Sequence, residues 1–378
     1  MPGAHDSRAR VARRIATAAA YGGGGLGLLG VGLVGVLLTE SKLAMQAIGA
    51  LETHPPRADG VYGEAFADGA AAPQQPLVLA VLGDSTGAGL GVARARETPG
   101  ALLAAGLASV AERPVRLVNV ARSGGRSADL SGQLEQALPH HPDVAVIMIG
   151  ANDVTRHSPA QVAVRQLGEA VAALHANGCR VVVGTCPDLG TIKPVRPPLR
   201  WVARRLSRQL AAAQTIAVVE AGGRTVSLGS LLGPEFAARP EMFAADRYHP
   251  SAQGYATAAM AVLPSVCAAL GLWPEEERPT VPVPGETVLP VAVAAAAAAG
   301  RAGTEVAAVD AEGTGHRWAL LRQRLRIGLP GPGAVGPGSG AVGPGSGPAG
   351  EAAADRGPDG PAGPGNTSAS SHAGAGDA

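Results

Sequence analysis

Aromatic residues make up only 3% of this 378-residue chain, and lysine is nearly missing: of 31 basic residues only Lys42 and Lys193 are lysines. A core short of aromatics has to be built from aliphatic and alanine side chains, for which a hydrophobic content of 46% is ample. Neither sign of charge is in excess. The formal net charge of +1 gives no electrostatic reason to expect a nucleic-acid partner. The three cysteines, Cys179, Cys186 and Cys267, are too few for a disulfide framework and lack zinc-ligand spacing. Cys179 and Cys186 fall at opposite ends of one expected strand, roughly 20 Å apart at ~3.3 Å per residue, which is too far to pair. That leaves one bridge to Cys267 or three free buried thiols. No group of His, Cys and carboxylates has the spacing of a metal site, so no metal or other cofactor is implied.

What the chain does have begins at its N-terminus. Arg8, Arg10, Arg13 and Arg14 precede residues 15–39, a run of 25 residues without a formal charge. About 20 apolar residues cross a bilayer, and an arginine-rich flank stays in the cytoplasm. The eight glycines of the run are tolerated in membrane helices, where Gly23 and Gly27 form a small-residue contact pair. We read residues 1–14 as a basic cytoplasmic tail and 15–39 as a transmembrane anchor, with the rest of the chain outside. The competing reading is a cleaved signal peptide and a secreted protein. Against it, the only small-x-small site, Ala47-Ile48-Gly49, lies about ten residues beyond the run.

Residues 40–75 read as a linker. From Leu77 the pattern alternates. Apolar strands are expected at 77–82, 115–120, 143–149, 180–184 and 225–228, and helices at 98–112, 127–138, 159–176, 199–220 and 251–270. This alternation predicts a three-layer α/β/α domain with a mostly parallel five-stranded sheet over residues 76–274. Residues 275–327 are Pro- and Ala-rich and then basic. There Trp318, Leu321 and Leu325 recur at helical spacing, which predicts a solvated helix docked on the domain, in preference to one lying on a membrane surface. Residues 328–378 are Gly/Pro/Ala/Ser-rich, with Ala-Val-Gly-Pro-Gly-Ser-Gly at 334 and again at 341, and read as disordered.

The chemistry gathers at the carboxyl ends of the strands, where open α/β sheets bind ligands. Gly83-Asp84-Ser85-Thr86-Gly87 comes after the first strand, Asn119-Val-Ala-Arg-Ser-Gly124-Gly125 after the second, and Gly150-Ala-Asn152-Asp153 after the third. Asp246-Arg-Tyr-His249-Pro250 comes after the fifth strand, just ahead of the last helix. In this order the four pieces resemble blocks I, II, III and V of the SGNH (GDSL) hydrolases, over about residues 77–265. The resemblance implies a flavodoxin-like fold and a serine esterase or lipase that works through an acyl-enzyme, with Ser85 as nucleophile, His249 as base and Asp246 as its orienting acid. It further implies an oxyanion hole made of the backbone N–H groups of Ser85 and Gly124 and the side-chain amide of Asn152.

Each role suits its residue. A serine hydroxyl needs a base to become nucleophilic, imidazole serves near neutral pH, and a carboxylate three residues away reaches the second ring nitrogen. Gly125 competes with Gly124 as the donor. Asp84 and Asp153 read as turn-stabilising groups. The first piece also fits Gly-x-Ser-x-Gly, the nucleophile elbow of α/β-hydrolases. That family has upstream strands which are missing here, and it places acid and base on separate loops. The implied partners are an ester substrate, either a lipid ester or an O-acetylated sugar, and the membrane through the N-terminal helix. A non-catalytic envelope-binding module and an acyltransferase are the alternatives on the same fold.

Overall fold

In the computed structural model of the chain, the residues described are 54–67, 75–192, 194–229, 239–272, 286–301, 303–308 and 318–323, with a few positions between 35 and 46. All belong to the first of the chain's two units, residues 1–326. Most of the 15–39 run, and all of 328–378, lie outside them. Among the described residues no helix is long and apolar enough to cross a membrane.

The chain opens with a short strand, β1 (Gly60–Tyr62), then β2 (Leu77–Gly83), the four-residue α1 (Ser85–Ala88) and α2 (Pro99–Ala111). Next come β3 (Val115–Asn119), α3 (Leu130–Ala137), β4 (Val144–Met148), α4 (Ala151–Thr155) and α5 (Ala160–Ala176). The second half runs through β5 (Arg180–Gly184), α6 (Leu199–Glu220), β6 (Arg224–Val226) and α7 (Ala252–Ala269). It ends with β7 (Glu286–Pro290), α8 (Val291–Ala299), β8 (Thr304–Ala308) and β9 (Trp318–Gln323). Helix starts are fixed by side chains. Thr98 accepts from the Ala101 N–H ahead of α2, with Pro99 in the first turn, and Ser251 accepts from the Gly254 N–H ahead of α7.

The sheet order is β1-β3-β2-β4-β5-β6-β8-β9-β7, and the five central strands are parallel. Every residue of β2 and of β4 is buried, as strands covered on both faces require. Alternate side chains serve opposite layers. Leu79, Val81, Val144, Val146 and Met148 pack with Leu103 and Leu107 of α2 and Val262 and Val266 of α7. Ala80, Leu82, Ala145 and Ile147 pack with Leu130 and Leu134 of α3, Leu167 and Val171 of α5, and Val218 of α6. The core is aliphatic, as the composition requires. The parallel order β3-β2-β4-β5-β6 is the flavodoxin-like one, so the switch point falls between β2 and β4.

The parallel strands are those expected, but the sheet is larger. β1, within the stretch read as linker, pairs antiparallel with the outer edge of β3. The sheet also continues past residue 274. β8 pairs antiparallel with β6, β9 with β8, and β7 with β9. The helix expected around Trp318 is corrected to the strand β9. Its Ala319 and Leu321, two apart, meet Val306, Val291 and Ala294 beside Val219 of α6, so the period of the segment is 2. All three cysteines are buried and free.

If β8 is integral to the core, placing a carboxylate at its fully buried centre should be costly. Val306→Asp is expected to lower the unfolding free energy by more than about 3 kcal/mol. Urea unfolding checks this, and an unchanged midpoint would mean that β8 is dispensable.

Candidate active site

Ser85 is the first residue of α1, immediately beyond the carboxyl end of β2, and is buried with its N-cap Asp84. Gly83 makes the sharp exit from the strand. Its φ is +126°, and a Cβ there would run into the carbonyl of Met148 on β4, so only glycine fits. Asp84 then donates its N–H to the Met148 carbonyl at 2.9 Å, while its side chain accepts from the Thr86 N–H at 2.8 Å. A buried glutamine holds this corner from the other side. Gln133 of α3 accepts from the Gly83 N–H at 2.7 Å and donates to the Gly83 carbonyl at 2.9 Å, as a neighbouring strand would.

His249 reaches this serine from the turn before α7. Its Nε2 lies 3.0 Å from Ser85 Oγ, and its Nδ1 lies 2.5 Å from Asp246 Oδ2. The second oxygen of Asp246 accepts the N–H groups of Tyr248 and His249, each at 3.0 Å, which closes the turn around the carboxylate. Arg247 takes φ +58° to allow this, and Ala244 donates to the His249 carbonyl at 2.8 Å. The Tyr248 ring meets the imidazole edge-on, with centroids 4.7 Å apart. Burial pushes the Asp246 carboxyl up, but the His249 hydrogen bond, the backbone donors and the imidazole charge outweigh it and hold the group below its ordinary value.

The loop after β3 and the start of α4 complete the surroundings. Gly124 adopts φ +77°, and Asn152 Nδ2 donates to the Gly125 carbonyl at 3.0 Å, binding the two loops together. The Gly125 N–H is engaged by the Arg122 carbonyl at 3.0 Å, whereas the N–H of Gly124 meets no such acceptor among the described residues. Asp153, read as a turn group, instead accepts from the Ser127 backbone and hydroxyl, the latter at 2.8 Å, and so ties the start of α4 to the loop ahead of α3, whereas Asp84 does cap its own turn. A second buried glutamine, Gln214 of α6, donates to the Ile149 carbonyl and accepts from the Cys186 N–H, fixing the ends of β4 and β5. Neither glutamine stood out in the sequence. The signal was a polar residue on an apolar helix face, Gln133 among Leu130, Leu134 and Ala137, and Gln214 among Leu210, Ala211 and Val218.

An apolar cavity of about 40 Å³ adjoins Ser85 and His249 and is lined by Met148, Ile149, Leu189, Leu228 and Tyr248. His140, His141 and His157 are exposed, and Arg200 donates to the Val195 carbonyl at 2.7 Å. Among the described residues no group of His, Cys, Asp and Glu is arranged to hold a metal ion. Burial pushes the Asp84 carboxyl up to about 6, with the charge of Asp153 adding to the rise and the Thr86 hydrogen bonds and His249 opposing it.

Comparison with known proteins places these features in context. Residues 81–257 match the family described as GDSL-like lipase/acylhydrolase. A GDSL-like esterase of Mycobacterium tuberculosis is 43% identical over 255 residues, covering 65% of this chain and 79% of that protein. Among solved structures, an acetylxylan esterase of Geobacillus stearothermophilus is 22% identical with a TM-score of 0.40, covering 52% of this chain and 94% of its own. TesA is 24% identical with a TM-score of 0.40, covering 51% and 99%.

Two outcomes test the local architecture. Gln133→Met leaves the buried Gly83 amide and carbonyl without that partner and should cost about 2 kcal/mol in urea unfolding. An unaltered midpoint would mean that the glutamine holds nothing. For Asp84 the folded-state value of about 6 lies above the unfolded value near ~3.9, so the folded chain binds more protons between the two. Stability from this group is therefore full below the unfolded value and is lost as pH rises through about 6. Asp84→Asn keeps an N-cap acceptor and should be more stable than wild type at pH 8 by on the order of 2 kcal/mol, with the difference shrinking towards pH 4. A difference that does not vary with pH would contradict this.

Proposed function

Because the chain belongs to the GDSL-like lipase/acylhydrolase family and is a carboxylic ester hydrolase, we propose that it acts through an acyl-enzyme formed on Ser85. The observation that carries this reading is the unbroken hydrogen-bond chain from Ser85 Oγ to His249 Nε2 at 3.0 Å and from His249 Nδ1 to Asp246 Oδ2 at 2.5 Å. His249 takes the serine proton as Oγ attacks the ester carbonyl, and then passes it to the departing alcohol oxygen. Asp246 holds the ring in the tautomer that leaves Nε2 free to accept, and stabilises the imidazolium. Water repeats the cycle on the acyl-enzyme and releases the acid.

The oxyanion that develops at each step needs donors already in place. We assign these to the N–H groups of Ser85 and Gly124 and to the Asn152 amide, whose Nδ2 spends one proton on the Gly125 carbonyl and keeps the other. Engagement of the Gly125 N–H with Arg122 favours Gly124 over its neighbour. The cavity beside Ser85 and His249 is small and its lining mostly apolar, which supports a short acyl group such as acetyl. The charge-free run of residues 15–39 behind four arginines supports a domain held outside the cytoplasmic membrane by an N-terminal anchor.

Ser85→Ala should lower kcat on a short-chain aryl ester by at least about 10³-fold and abolish fluorophosphonate labelling. Retained turnover would refute the mechanism. Across a series of p-nitrophenyl esters, kcat/KM should peak at two to four acyl carbons, and a maximum at ten or more would exclude the cavity as acyl site. The full chain should stay with membranes through alkaline carbonate washing and be lost from them when residues 1–39 are deleted. Full release of the intact chain would rule out the anchor.

A further inference from the structure

A second cavity lies against Gly124 and has a different chemistry. Its volume is about 480 Å³, it shares no lining residue with the apolar one, and three arginines, Arg122, Arg126 and Arg156, line it. The guanidinium of Arg156 lies 3.1 Å from where a Cβ of Gly124 would stand, so it covers the α-carbon face of the assigned oxyanion donor. Arg122 donates its backbone N–H to the Gly83 carbonyl at 3.1 Å, next to the residues that place Ser85. Its side chain meets the neutral Gln136, at 3.1 Å. None of the three guanidiniums is in an ion pair with a described residue. The one carboxylate lining the cleft, Asp129, accepts from the Arg126 backbone N–H at 2.7 Å. Three cations against one anion leave a net positive cleft.

Arg122 and Arg156 are exposed and Arg126 is half-buried, so their heads are open to an incoming ligand, and guanidinium is the side chain best shaped for carboxylate and phosphate oxygens. Elsewhere some arginines do face a buried carboxylate. Arg204 and Arg208 both face the buried Asp188, and Arg224 faces Glu305. The three arginines of the cleft beside Gly124 have no such partner among the described residues.

We propose that this cleft binds an anionic substituent, a carboxylate or phosphate, on the alcohol half of the substrate ester, and so selects anionic over neutral esters. The inference rests on the esterase reading, because it gives the acyl group to the apolar cavity and leaves the alcohol to the arginine side of the oxyanion site. The anion remains bound while the acyl-oxygen bond breaks and departs with the alcohol.

Two acetyl esters of matched shape test this, 4-acetoxybenzoate and 4-acetoxybenzamide. The ratio of their kcat/KM values, compared across variants, cancels their intrinsic reactivities. In the full-length wild type the ratio should favour the anionic ester by about tenfold at low ionic strength and decline towards unity in 1 M salt. Arg156→Gln and Arg126→Gln should each cut the ratio about fivefold. A ratio near one in the wild type, or one unmoved by either variant, would overturn the proposal.

A binding arm separates this failure from failure of the esterase reading. On the Ser85→Ala background, calorimetry with 4-acetamidobenzoate should show binding that weakens about fivefold on adding Arg156→Gln. If neither ester is turned over but this binding holds, the esterase reading fails and the anion site stands. If both esters are hydrolysed but the benzoate binds no better than 4-acetamidobenzamide, the arginines are merely solvated and the proposal falls.

Discussion

The site depends on one close approach of backbone to backbone, where β2 leaves the sheet against β4. At Gly83 the chain turns with φ +126° in a space that admits no side chain, because the Met148 carbonyl occupies it. That same carbonyl accepts the N–H of Asp84, and Gln133 completes the bonding of Gly83 from the α3 side. The corner is therefore determined from two directions, and it determines Ser85 in turn. The serine begins a helix whose first turn is capped by its own predecessor, and its hydroxyl is presented at the carboxyl edge of the sheet. The loop that carries Gly124 is tied to the same point through Arg122 and the Gly83 carbonyl.

The rest of the sheet keeps this edge firm. β2 and β4, which flank the switch point, are buried throughout, and their two sets of alternating side chains knit both helical layers. The antiparallel additions cover what would otherwise be open edges. β1 closes the β3 side with three residues, and β8, β9 and β7 extend the β6 side, where Arg224 meets the buried Glu305 at 3.1 Å. Unpaired strand edges invite association with other chains, so such covering has a cost to solubility when it is missing.

The parallel strands were legible in the sequence because double-sided burial writes itself as an uninterrupted apolar run. The same logic failed for β9. Trp318, Leu321 and Leu325 fall at helical intervals by coincidence, while the pair that meets the core, Ala319 and Leu321, is a single repeat of the strand period. β1 is too short to carry any period. The residues proposed to carry the chemistry, Ser85, Gly124, Asn152, Asp246 and His249, were named from short motifs alone. Gln133 and Gln214 showed only as polar residues on apolar helix faces, and what they bond is backbone, which leaves no trace in a sequence. Nor could the arginine cleft be seen, since Arg156 reaches Gly124 only through the fold.

The turn from Asp246 to His249 has a mechanical consequence. Asp246 and His249 are three residues apart, and the carboxylate is bonded to the backbone of the turn that carries the imidazole, so a single turn holds both side chains. It meets Ser85 across the 3.0 Å gap between His249 Nε2 and Ser85 Oγ. The hydrogen-bond chain of the three side chains thus has a single joint between separate elements. A displacement of this turn would carry Asp246 and His249 away from Ser85 together, so that one gap alone decides whether the three side chains stay in line.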